Sequence, residues 1–358
     1  MAAALQPAAI PTYDLAAELR AILSAAASYL LSDAGFLRIT GPDAARWLNG
    51  MVTNDIQSLQ PGEGNYNFLL NAQGRILGDC TIYRDPAPEP PAFLLQTDKS
   101  QIETIQQHLD HFIIMDDVEL QPAPSNLSCL LVLGPNAPSI LRNRYRSFRG
   151  GDRDPLPPLR LAFDSDVAEQ ITTPSAGLVP QFQIWTVAAS IGSLTQYAAS
   201  AGATEVSSET LEALRILSGT PRYGVDIRNT DAAHDLPQET GQTRALHFTK
   251  GCYLGQEIVE RIRSRGSVHR TFHGFELTGA LPAPGAPLTA ESFPRPVGEF
   301  TSVAVIPLPE SAAAPARTIQ LALGYVRREA LADAQARALT LEYPGGIATP
   351  IAMPYPIP

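Results

Sequence analysis

Near residue 275 the texture of the chain changes. Before it, segments of helical and strand periodicity interleave; after it helical periodicity almost vanishes, proline and glycine punctuate every ten residues or so, and short apolar strands dominate. Irregular spacing in the first part, with hairpins as well as crossovers, favours an α+β region over a doubly wound parallel sheet. The second part reads as a small β-barrel or sandwich. At 358 residues the chain holds two to three packed units of roughly 150 residues each. The expected boundaries are 1–275 for the α+β region, 276–343 for the barrel, and 344–358 for a proline-rich tail running extended over the surface.

Within the first part, Asp14 to Leu31 carries Leu15, Leu19, Ile22, Leu23, Ala26 and Leu30 at helical spacing, which predicts an opening helix. Gly35 to Thr40 alternates like a strand and stops at Gly41-Pro42, where proline suits the first turn of a helix through Trp47 and Leu48. Asn67 to Asn71 and Arg75 to Tyr83 form a hairpin across Asn71-Ala72-Gln73-Gly74. Further strands are expected at Phe93–Gln96, Leu130–Leu133 and Gln181–Val187, with helices over Lys99–Phe112 and after a cap at Ser207 or Ser208. The proline-dense stretches Asp85–Pro91 and Pro155–Pro158 are loops.

Several function classes are excluded. No apolar run reaches the ~18 residues of a membrane-spanning helix, so no membrane partner is expected. Three cysteines, Cys80, Cys129 and Cys252, lack the spacing of a disulfide framework or a paired-cysteine zinc site, which fits a reducing cytoplasm. The start has no basic n-region and no continuous apolar core, arguing against export. A net charge of −10 argues against broad nucleic-acid binding. His108 and His111 are spaced to bracket a metal, but no third ligand completes a site, so no metal is expected. Gly62-Glu63-Gly64 is a turn, not a phosphate loop.

The densest unusual segment is Gly241 to Phe275. Arg244, Lys250, Arg261, Arg263, Arg265 and Arg270 stand against Glu257 and Glu260, a local charge of +4 within an otherwise acidic chain. Such polarity can steer an anionic ligand or acidic partner. Inside it lies Lys250-Gly251-Cys252-Tyr253-Leu254-Gly255-Gln256-Glu257. The glycines allow a tight bend, and neighbouring cations would favour thiolate at Cys252, making it a candidate reactive thiol; the alternative is a small buried packing residue. Cys80 and Cys129, in apolar strand contexts, read as packing residues.

The K-G-C-Y-x-G-Q-E octapeptide resembles the hallmark of the YgfZ family, folate-binding proteins related to the aminomethyltransferase (T-protein) of the glycine cleavage system. Thr53-Asn54-Asp55-Ile56, Leu70-Asn71-Ala72-Gln73-Gly74-Arg75-Ile76 and Asp235-Leu236-Pro237-Gln238-Glu239-Thr240 are similar to other segments of that family, in order, as are Val297–Ser302 and Leu321–Val326 in the C-terminal part. The resemblance implies a ring of three subdomains, two related α+β units and a C-terminal small β-barrel, around a cavity that in relatives holds tetrahydrofolate. It further implies a folate-binding accessory role in iron–sulfur cluster assembly or repair, including for enzymes of tRNA modification. The implied partners are iron–sulfur assembly proteins or client iron–sulfur enzymes, with no direct nucleic acid. By this resemblance Cys252 is the active thiol, and Lys250, Gly251, Tyr253, Gly255, Gln256, Glu257 and Asn71 are candidate cofactor contacts.

The aminomethyltransferase carries two adjacent aspartates after its L-N-x-x-G-G turn, the first beside the folate nitrogen that receives the one-carbon unit. Here the pair reads Gly78-Asp79. Glycine offers no carboxylate, so glycine-cleavage chemistry is not expected. A second hypothesis keeps folate-dependent transfer or demethylation of an unidentified amine, with Asp79 standing in.

Overall fold

The computed structural model describes residues 14–86, 90–145, 159–164, 169–174, 177–230, 235–266, 268–310, 314–337 and 340–357. The proline run 155–158, residues 87–89 of the other expected loop, and the extreme N-terminus lie outside the described residues. The chain runs α1 (Leu15–Ser24), β1 (Ala27–Leu31), β2 (Ala34–Thr40), α2 (Ala44–Met51), β3 (Gly64–Leu70), β4 (Ile76–Arg84), β5 (Phe93–Asp98), α3 (Ile102–Asp110) and β6 (Glu119–Pro122). It continues through β7 (Leu127–Leu133), α4 (Ala137–Arg144), β8 (Arg160–Asp164), β9 (Glu169–Thr173), β10 (Gln181–Val187), α5 (Ile191–Ser200), β11 (Thr204–Glu205), α6 (Ser208–Ser218) and α7 (Gln256–Arg265). It closes with β12 (Arg270–Gly279), β13 (Pro287–Leu288), β14 (Gly298–Leu308), β15 (Arg317–Arg327), α8 (Arg328–Arg337), β16 (Leu341–Tyr343) and β17 (Gly346–Ile351).

Three sheets organise these elements. The first has the order β3-β4-β5-β2-β6 and the second β11-β1-β7-β10-β9-β8. Each covers one face with helices: α2 and α3 pack on the first around Trp47, Leu48, Ile82 and Ile105, and α4 and α5 on the second around Ile140, Leu141, Ile184 and Leu194. The opposite faces meet along Phe36, Tyr83, Leu94, Cys129 and Trp185, where Phe36 and Trp185 stack edge to face at 5.2 Å. Both tryptophans are therefore core residues. The pairing also explains why the opening helix stops at Ser24 although helical spacing continues to Leu30. Ala27–Leu31 pairs in full register with Cys129–Leu133, and a strand that completes the second sheet outweighs a few residues of local helical preference.

The third sheet, β13-β14-β15-β12-β17-β16, is joined edge to edge by Thr289 and Glu342, whose backbones exchange hydrogen bonds at 2.8 and 2.9 Å. It is thus a closed barrel with Phe275, Phe300, Tyr343 and Val326 inside. Here the tail expectation is corrected. Residues 346–351 form β17, paired with both β12 and β16, because Ala348 faces the barrel core and the prolines fall where the ladder tolerates them. The barrel also begins earlier than 276, with β12 starting at Arg270. Helices α1 and α6 bury Leu19, Ile216 and Leu217 against Ile306 and Leu321 of the barrel, joining it to the α+β region.

Candidate functional site

Three of the sequence motifs converge on the C-terminal end of α2. Thr53 Oγ1 donates to the Ala245 carbonyl at 2.6 Å, and Asn54 Nδ2 donates to Arg244 and Tyr66 carbonyls at 2.8 and 3.0 Å. These bonds lay segment 244–250 along β3. Lys250 Nζ then reaches three carbonyl oxygens, those of Asn49 at 2.6 Å, Val52 at 2.7 Å and Asn54 at 2.6 Å. Burial pushes its ammonium down to about 7, whereas three acceptors at this distance favour the protonated form, since an ammonium has three protons to give.

Beyond Lys250 the chain bends outward. Leu254 N donates to Gly50 O at 3.1 Å, and Tyr253 folds inward beneath the Lys250 ammonium, 5.1 Å from ring centre to Nζ. Gln256 Oε1 accepts from Tyr253 N at 3.1 Å, closing the bend onto the start of α7. Gly255 sits at φ +81°, and a Cβ there would lie 2.6 Å from Asn71 O. Gly74, at φ +70°, faces it, and a Cβ there would lie 2.7 Å from Ile258 Cβ. The hairpin turn and the octapeptide are thus one interlocked surface. Asn71 makes the turn itself, its Oδ1 accepting from the Gln73 and Arg75 amides, both at 3.0 Å. Glu257 is exposed in the first turn of α7, where a carboxylate opposes the positive end of the helix.

Cys252 is the one exposed cysteine, while burial pushes the Cys80 and Cys129 thiols well above their usual range. The bend therefore presents its sulfur to solvent. Two details of the expectation change. Lys250 spends its protons on α2 carbonyls and does not turn toward the thiol. The basic segment is also less free than its charge suggests: Arg270 is bound by Asp235 at 2.6 Å and Glu239 at 3.2 Å, and Arg263 lies over the Phe248 ring at 4.4 Å beside Glu260. Asp235 and Glu239, from the lead-in motif, thereby anchor the first barrel strand.

A separate hollow lies between the two α+β units. One chamber, of about 270 Å³, is lined by Tyr66, Asp79, Thr81 and Tyr83 of the hairpin, Gln96 and Thr97 of β5, Gln183 of β10, and Tyr223. A second, of about 230 Å³, shares Pro174 and Arg215 with it and adds Gln181, Leu211 and Arg244. Asp79 accepts from Tyr66 Oη at 2.6 Å and from Gln101 Nε2 at 2.9 Å, and burial raises its carboxyl above the usual range. Arg215 is saturated by Glu212, Asp226, Ser302 and the Thr220 carbonyl. Arg244 makes no hydrogen bond or ion pair through its guanidinium among the described residues; it lies over the Tyr66 ring at 5.2 Å.

The reasoning from Gly78 is revised by strand geometry. A Cβ at 78 would point at Ile105 and Gln101, 3.1 to 3.2 Å away, whereas Asp79 is the hairpin carboxylate that faces the hollow. Neither Asn71 nor any of Lys250, Gly251, Cys252, Tyr253, Gly255, Gln256 and Glu257 lines either chamber. Tyr66, Gln96, Gln183 and Tyr223 went unnoticed in the sequence. Their signal is faint: polar side chains at alternate strand positions, as in Asp79-x-Thr81-x-Tyr83.

The fold is similar to that of the aminomethyltransferase T of the glycine cleavage system from Bartonella henselae. The two superpose with a TM-score of 0.77 at 17% identity, over 95% of this chain and 89% of that one. Residues 9–148 match the family model of the GCVT N-terminal domain. Among curated relatives, the mitochondrial iron–sulfur cluster assembly factor IBA57 of Mus musculus is 28% identical over 295 residues, 76% of this chain and 73% of that protein. An aminomethyltransferase of Chlorobium chlorochromatii is also 28% identical, over 75% of this chain and 72% of its own. Against the IBA57 homologues of Pyricularia oryzae and Neurospora crassa, the match spans about half of their length, 53% and 51%. The cytoplasmic expectation is corrected by these names, which place the IBA57 relatives in mitochondria. A low cysteine count marks any reducing compartment and never separated the two.

Proposed function

We propose that this chain is an accessory protein of iron–sulfur cluster assembly or repair, with Cys252 as its working thiol and tetrahydrofolate as the ligand of its hollow. The observation that carries the reading is the exposed sulfur of Cys252 on a bend clamped to α2 by Lys250 and to the hairpin by Gly255. A buried packing cysteine would need no such scaffold. The relatives named as iron–sulfur cluster assembly factors support the assembly role. Assembly proteins and client enzymes, including those of tRNA modification, are the partners this reading proposes. Cys252→Ser, which keeps size and polarity at an exposed position, is expected to depress a cluster-dependent enzyme in cells while leaving thermal unfolding unchanged. Full enzyme activity in that variant refutes the role.

The chambers suit a folate. Tyr66, Tyr83 and Tyr223 offer flat apolar walls; the Gln96 and Gln183 amides bond each other, leaving Gln96 Oε1, with Asp79, as a pairing group for a heterocycle edge; and Arg244 of the second chamber is a cation available to a carboxylate. When bound, the folate would supply one-carbon chemistry or act as a structural effector. Titration calorimetry with tetrahydrofolate tests this, and absence of saturable heat removes the ligand. A second reading, folate-dependent transfer to or from an amine, is favoured by one observation: Asp79 faces the hollow with its carboxyl raised by burial, suited to exchanging a proton. Its test is one-carbon transfer that disappears in Asp79→Asn.

A further inference from the structure

The loop between α3 and β6 carries two adjacent apolar side chains in solvent, Ile114 at 83% exposure and Met115 at 94%. Single exposed apolar residues are ordinary; a rigid pair is not. The base of this loop is pinned to the N-terminal end of α2 at four points. Trp47 Nε1 donates to Phe112 O at 3.2 Å, Arg46 pairs with Asp116 at 2.6 Å, Asp117 N donates to Asp43 Oδ2 at 2.9 Å, and Asp43 N donates to Asp117 O at 3.3 Å. Gly41, at φ +120°, lets the loop backbone close in, since a Cβ there would lie 2.1 Å from Asp117 O. The two side chains are held outward by a frame that has no need of them for its own packing.

The other end of the same helix holds the Cys252 bend, through Lys250 on Asn49 O and Leu254 N on Gly50 O. An eight-residue helix is about 12 Å long, so the apolar tip and the thiol are carried by one short rigid strut. Charge is divided along it. Asp110, Asp117 and Glu119 are exposed around the tip, where Arg46 is paired with Asp43 and Asp116, so the tip is acidic, whereas near the thiol the exposed Glu257 and Arg261 of α7 balance. We propose that Ile114 and Met115 are the docking anchor for the protein partner that engages Cys252, a partner presenting an apolar socket rimmed by lysine or arginine. The acidic rim disfavours an anionic membrane surface, and the net charge of −10 disfavours a second copy of this chain at the same face. A loop pinned at its base reduces the ordering cost of docking, and the acidic rim around the tip favours a partner whose socket is rimmed by basic residues.

This inference rests on the working role of Cys252, and the experiment separates the two. Cells whose only copy carries Ile114→Ser with Met115→Ser are compared with cells carrying Cys252→Ser, reading a cluster-dependent enzyme. The purified proteins are compared for thermal unfolding and for iodoacetamide alkylation of Cys252. The expected result for the double variant is a fall in enzyme activity of at least about fivefold, toward the Cys252→Ser level, with unfolding temperature and alkylation rate unchanged. Ile114→Leu with Met115→Leu should retain activity, and Asp117→Lys should lose part of it. Loss in Cys252→Ser with full activity in Ile114→Ser/Met115→Ser overturns the docking anchor and leaves the thiol's role standing. Full activity in both overturns both. Concentration-dependent dimers in sedimentation, or flotation with cardiolipin-containing vesicles, that vanish in the double variant would assign the tip to a second copy or a membrane and equally overturn the proposal.

Discussion

Replacing Lys250 by methionine separates two readings of the same side chain. Its ammonium makes three bonds of 2.6 to 2.7 Å to carbonyls that close the end of α2. A hydrogen bond to a charged group contributes about 1.5–3 kcal/mol, and carbonyls left bare in a half-buried site add their own desolvation cost. Relief of the buried ammonium offsets part of this. The net expectation is a loss of about 3 kcal/mol, which at roughly 1.3 °C per kcal/mol for a chain of 358 residues lowers the unfolding temperature by about 4 °C. Methionine matches the stem in length, so the loss reports the head group and not a cavity. The assay is thermal unfolding at fixed pH, paired with the pH dependence of Cys252 alkylation by iodoacetamide. A clamp predicts reduced stability with the alkylation midpoint unmoved. If the midpoint rises while stability is unchanged, the lysine serves the thiolate after all and the geometric argument is wrong.

Two further outcomes follow from the same geometry. Gly255→Ala places a Cβ 2.6 Å from Asn71 O in a left-handed conformation; backbone strain of about 1–2 kcal/mol plus overpacking of about 1–3 kcal/mol should cost ~3 kcal/mol in urea unfolding, and a neutral result would deny the interlock with the hairpin. Asp79→Asn keeps an acceptor for Gln101 Nε2 and replaces the oxygen that accepts from Tyr66 Oη with an amide N–H that can donate to it. Because burial raises the native carboxyl above its unfolded value, the native state holds its proton longer than the unfolded chain, and wild-type stability falls as pH rises from about 3.8 through the raised value. The variant should therefore gain on wild type across that window in pH-resolved denaturation, and a pH-independent difference would contradict a costly buried carboxylate.

Much of the fold was legible because it rests on local chemistry. The Asn71–Gly74 turn, the Ser207 side chain capping α6 at Thr210 N, and the alternation of Gly35–Thr40 are each written in a few neighbouring residues. What escaped depends on distant partners. Nothing around Lys250 announces that its acceptors are carbonyls of residues 49, 52 and 54. Ala25 to Leu30 looks helical until β7 is known to lie beside it. The octapeptide's motif was legible, but that its glycines, tyrosine and glutamine shape the bend and line neither chamber depends on contacts with α2 and the hairpin that lie far away in sequence.

The bridge between Thr289 and Glu342 has a consequence for association. With its two outermost strands joined, the C-terminal unit has no spare row of amide and carbonyl groups there for a visiting peptide to extend. Whatever approaches this seam must read side chains, and the seam itself is guarded against extending a sheet from one copy to the next.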